Sequence, residues 1–122
     1  MIKINQLLKV GDILNSEGTI LGLYKNKTGE LFLSSYLKDG SGEIYYSSND
    51  KTVLKYLNSE IILKQVYLES EDFIVSRQFK KETVLFVKQD LVELIQFGDK
   101  LFSEIPNSMR NDKITIELND RS

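Results

Sequence analysis

The stretch LFLSSYLKDGSGEIYYSS, residues Leu31 to Ser48, decides how the chain is read. Apolar, aromatic and small residues crowd both ends, and Asp39, Gly40, Ser41 and Gly42 lie between them. Aspartate and glycine adopt the left-handed conformations that tight hairpins need, and a serine adds a local hydrogen bond. The centre therefore reads as a turn and the flanks as paired strands. In the first flank Leu31, Leu33 and Leu37 face one way and Phe32, Ser34 and Tyr36 the other, with the leucine face directed to the core.

The acids and glycines of this turn also invite a chemical reading, which fails on position. Laid on a calcium-binding loop with Gly42 at the invariant glycine, the stretch puts Leu37 at the first ligand and Ser48 at the closing carboxylate, so both strongly charged positions are empty. A phosphate cradle would need a helix and a lysine after the glycines, and Glu43-Ile44-Tyr45 follows instead. No metal and no cofactor are expected.

Working outward, residues 19–24, 30–38 and 43–47 alternate in the manner of strands and are separated by turn-forming residues at 25–29 and 39–42, which predicts a meander of two hairpins. Before them, residues 5–10 followed by Gly11 read as a helical turn capped by Asn5, with a short extended piece at Ile13-Leu14 and a turn at 15–18. After them, Val53, Leu54 and Leu57 fall at helical spacing behind the capping residues Ser48-Asn49-Asp50, which predicts a short helix near 50–58. Residues 61–68 are open between strand and helix. Residues 72–79 and 83–88 read as a further hairpin, with Lys80, Lys81 and Lys88 protecting an edge.

The clearest helical stripe is Leu91, Leu94, Ile95, Gly98, Leu101 and Phe102, opened by Asp90 and Glu93 at capping-box spacing and closed by Pro106. It predicts one main C-terminal helix over about 90–104, the alternative being a break at Phe97-Gly98-Asp99. The fold class is thus α+β: a mostly antiparallel sheet of about five to seven strands with one principal helix packed on one face. Residues 1–106 form a single domain. Residues 107–122 read as a linker with an edge strand at 113–118 or a flexible tail, and that strand leaves a homodimer open.

Composition narrows the function. The 122 residues carry 41% hydrophobic and 28% charged side chains, enough for one modest core. Cysteine and histidine are both absent, which removes disulfides, thiolate chemistry, cysteine-ligated zinc and every histidine-based catalytic arrangement. The apolar runs fall far short of the about 18 residues of a membrane span, and the amino terminus lacks the pattern of a secretory leader, so a cytoplasmic location is expected. The net charge of −2 arises after Ile61, where nine basic residues face eleven acidic ones. Nucleic acid is disfavoured on that balance.

Two features remain as candidate surface. Glu69-Ser70-Glu71-Asp72 is the densest acidic run, suited to a solvated turn or to meeting a basic partner. Tyr24, Tyr36, Tyr45 and Tyr46 gather in the first three strands of the meander, either as a packed sheet face or as an aromatic contact surface. The partner-binding residues expected are Tyr36, Tyr45, Tyr46, Glu69, Glu71 and Asp72, with no catalytic set.

The order Gly18-Thr19-Ile20, Leu31-Phe32-Leu33, Ile44-Tyr45-Tyr46, then a short helix and Leu63-Lys64-Gln65-Val66-Tyr67 leading to Asp72-Phe73-Ile74-Val75, resembles a family of small bacterial domains over roughly residues 17 to 76. Such domains occur in bacterial defence and toxin-neutralisation settings. Together with the residues above, the resemblance implies a non-enzymatic protein-binding module, an immunity- or antitoxin-like protein or a defence accessory that occludes another protein. The alternative is a single-stranded nucleic-acid binder using the tyrosines with Lys25, Lys27 and Lys38.

Overall fold

A computed structural model describes residues 3–40, 42–76, 88–114 and 118. Its centre is one antiparallel sheet whose strands lie in chain order: β1 Leu8–Asn15, β2 Thr19–Lys25, β3 Leu31–Tyr36, β4 Glu43–Ser48 and β5 Phe73–Ser76. Short helices accompany it, α1 Asp50–Leu57, α2 Leu63–Leu68 and α3 Lys88–Val92, with 3₁₀ turns at Ile4–Gln6, Phe102–Glu104 and Asn107–Met109. The architecture is α+β, as the alternation predicts.

The turn after β3 closes as its residues require. The Leu37 amide donates to the Gly42 carbonyl and the Gly40 amide to the Leu37 carbonyl, each at 3.0 Å. Gly40 sits at φ 72° and Gly42 at φ 148°, conformations that glycine takes without a Cβ penalty. The register that results places Leu33 between Leu23 on β2 and Tyr46 on β4. These residues face the helices, and with Val53, Tyr56, Val66 and Tyr67 they form the core. Each large apolar side chain removed from water there contributes roughly 1.5–3 kcal/mol.

The helices follow from capping and spacing. The Asn49 side chain accepts from the Thr52 amide at 2.9 Å and starts α1, a cap whose loss costs about 1 kcal/mol. The open region 61–68 resolves as helix over Leu63–Leu68: Leu63, Val66 and Tyr67 are buried at i, i+3 and i+4, and the Gln65 side chain accepts from the Ile62 amide at 3.0 Å.

Several expectations are corrected. Residues 5–10 do not make a helix; only Ile4–Gln6 turn, without a side-chain cap, and Leu8–Val10 are extended because they pair with the end of β2 through Leu8↔Lys25 and Lys9↔Tyr24. The single helix over 90–104 is absent. α3 ends at Val92, and the next residues leave helical geometry to pair with the end of β3: Ile95 bridges Leu37, the Lys38 amide donates to the Leu94 carbonyl at 2.7 Å, and the Gln96 amide donates to the Tyr36 carbonyl at 3.1 Å. Phe97 then takes φ 58°.

Residues 107–111, read as linker, dock on β1, where Arg110 bridges Leu14 and the Asn111 amide donates to the Ile13 carbonyl at 3.1 Å. Of the edge strand expected at 113–118, residues 115–117 lie outside the described residues, and the described ones are not extended: residues 112–114 and Leu118 are helical, and Ile114 and Leu118 are buried. Of the second hairpin, Phe73–Ser76 is a strand, but Lys88 opens α3 and so guards no edge. Lys80, Lys81 and the remainder of 77–87 lie outside the described residues, as does Ser41.

Candidate functional site

The acidic run forms a fixed turn between α2 and β5. Glu69 ends α2, and the Ser70 amide donates to the Tyr67 carbonyl at 3.1 Å. At Asp72 the main chain is clamped to β4: the Ser47 amide donates to the Asp72 carbonyl at 2.9 Å, and the Asp72 amide donates to Ser47 Oγ at 3.1 Å. That clamp sets the turn beside Ser47, Ser48 and Asn49, where β4 passes into α1. The register Leu31↔Ser48 brings Glu30 to the same place from the start of β3.

A crevice lies between these elements. One hollow of it, about 200 Å³, is lined by Glu30, Glu69 and Glu71 together with Ser47, Ser48, Asn49 and Ser70. An adjoining hollow of about 80 Å³ shares Ser47, Ser48, Asn49, Glu69 and Ser70 and adds Thr52 and Val66. The Thr52 hydroxyl donates to the Glu69 carboxylate at 3.5 Å. Ser48 Oγ and Ser70 Oγ are buried without a hydrogen-bond partner, a state that costs about 1–3 kcal/mol per group unless water or a ligand fills it. Among the described residues no lysine or arginine pairs with Glu30, Glu69 or Glu71.

Lys88 stands behind the turn and is otherwise engaged. Its ammonium donates to the Leu68 carbonyl at 2.7 Å and to the Ser70 carbonyl, and lies 5.6 Å from the centre of the Tyr67 ring. Burial lowers its pKa. The cation caps the carbonyl end of α2, where the helix dipole favours positive charge.

The tyrosines separate. Tyr46 is fully buried, hydrogen-bonded to Ser35 Oγ at 2.7 Å and edge-on to Tyr67 at 5.3 Å. It is a core residue, and burial pushes its phenol pKa up. Tyr45, on the opposite sheet face, is 9% exposed, packs edge-on against Tyr24 at 5.5 Å and donates to the Glu43 carboxylate at 2.9 Å. Its pKa rises through burial and that carboxylate.

Only Tyr36 of the three is open, at 39%. It borders a separate cleft of about 390 Å³ with the β1–β2 turn residues 16–18, Gln96 and Met109. Tyr36 pairs with Glu43 at the start of β4 and Ser47 lies near its end, so Tyr36 and the acidic turn sit at opposite ends of the sheet. The structure brings Glu69 and Glu71 together with Glu30, sets Asp72 as their anchor, and leaves the tyrosines out.

Sequence reading missed Glu30, Ser47, Ser48, Asn49, Thr52 and Ser70. The signal was the strand register: once residues 30–38 and 43–47 are paired across the turn, Glu30 must lie by Ser48.

A further polar cluster is self-contained. Asp12 meets Lys9 at 2.7 Å and accepts from Thr19 Oγ1 at 2.7 Å and Asn15 at 2.6 Å. Burial works to raise the Asp12 pKa, and these partners outweigh it and hold the carboxyl low. The cluster locks the β1–β2 hairpin. Among the described residues no group of three acids could hold a metal ion, and no helix is long and apolar enough to cross a membrane.

This geometry defines an α+β domain with an acid-rimmed crevice. Comparison with protein-family models, with curated proteins and with solved structures finds no match for the chain.

Proposed function

We propose that the protein is a cytoplasmic, non-enzymatic binding module that occludes a basic surface of another protein through the crevice of Glu30, Glu69 and Glu71, in the manner of an immunity or antitoxin protein or a defence accessory. The observation that carries this is the convergence of three glutamates from two separate parts of the chain on one crevice, with no basic side chain of the described residues paired to them. Uncompensated acids at a contact surface speed encounter with a basic partner and select against acidic ones.

The nucleic-acid reading loses its stacking platform, since Tyr46 is in the core and Tyr45 is held edge-on by Tyr24. The test is capture from lysate of the source cell with tagged protein, followed by mass spectrometry. We expect a basic partner that is retained by the native chain and lost with Glu69→Lys combined with Glu71→Lys. Undiminished capture by that double variant overturns the proposal. A steeply salt-dependent association with a single-stranded oligonucleotide instead would support the other reading.

A further inference from the structure

We draw no further inference here: the strongest candidate, the open cleft of about 390 Å³ at the end of the sheet between the β1–β2 turn, Tyr36, Gln96 and Met109, is a surface for which nothing in the structure shows what covers it.

Discussion

In β2, β3 and β4, residues adjacent in sequence meet residues adjacent in sequence, as when Leu31 to Tyr36 pair in order with Ser48 to Glu43. The segment from Leu94 to Asn111 works differently. Its backbone bonds run outward to scattered places: the Leu94 carbonyl to Lys38, the Gly98 carbonyl to Lys64, the Ser103 amide to Ser59 Oγ, and the Asn111 amide to Ile13. Both regions bury apolar side chains, and only the first does so through a repeating geometry. Periodicity in a sequence therefore reports which residues go inside more faithfully than it reports the backbone that puts them there.

The first way to break this comparison is to remove one fully buried aliphatic side chain from each region. Leu33→Ala in the sheet and Ile95→Ala in the irregular segment both delete side chains that are 0% exposed and belong to one core. Each should cost about 2–5 kcal/mol in chemical denaturation. If Ile95→Ala costs under about 1 kcal/mol, the irregular segment is an appendage to the sheet and the comparison fails.

The stripe of Leu91, Leu94, Ile95, Leu101 and Phe102 shows how far the sequence could be read. Leu91, Ile95 and Phe102 are buried in the core and Leu94 packs against it half-buried, whereas Leu101 is outside it, so the stripe identified most of the core residues it named. It misidentified their geometry because the competing bonds, from Tyr36 and Lys38, lie more than fifty residues away and leave no local trace. The meander was legible for the opposite reason. Alternation and turn residues act over two to six positions, and the ladder they specify is made by the next stretch of chain.

The candidate site falls between these cases. The acidic run at 69–72 is visible as composition. The serines that complete the crevice are not, because Ser48 and Ser70 differ from any surface serine only in being buried without a partner.

Gly98 offers a sharper cut. Within a helix, glycine costs about 1 kcal/mol relative to alanine, so the helical reading makes Gly98→Ala stabilising. In the structure a Cβ at Gly98 would stand 2.9 Å from Lys64 Cγ and 3.0 Å from the Ile95 carbonyl. Neither neighbour yields easily, one being main chain and the other the inner part of a side chain held at both ends. The substitution should destabilise by about 1–3 kcal/mol, the usual cost of overpacking. The sign of the shift in denaturation midpoint decides between the two geometries.

The smallest effect expected concerns what holds the irregular turn against α2. Lys64 reaches Asp99 at 2.6 Å and Glu93 at 2.7 Å, and the two carboxylates are largely open to water. The hydrogen bond from Lys64 holds the Asp99 carboxyl below its ordinary pKa, and the bond to Asp99, then that to Glu93, raises the Lys64 ammonium above its own. A carboxyl depressed in the folded state stabilises above its unfolded pKa and loses that contribution as pH falls through the folded value. An ammonium raised in the folded state stabilises below its unfolded pKa and loses that contribution as pH rises through the folded value. The contribution should thus be level from about pH 4 to about pH 10 and decline on both sides. Asp99→Asn should lower the melting temperature slightly at neutral pH and low salt, by less at high salt where exposed pairs are screened, and should flatten part of the acid limb. A drop as large as that of Ile95→Ala would mean that ion pairing, and not burial, holds residues 93–99 in place.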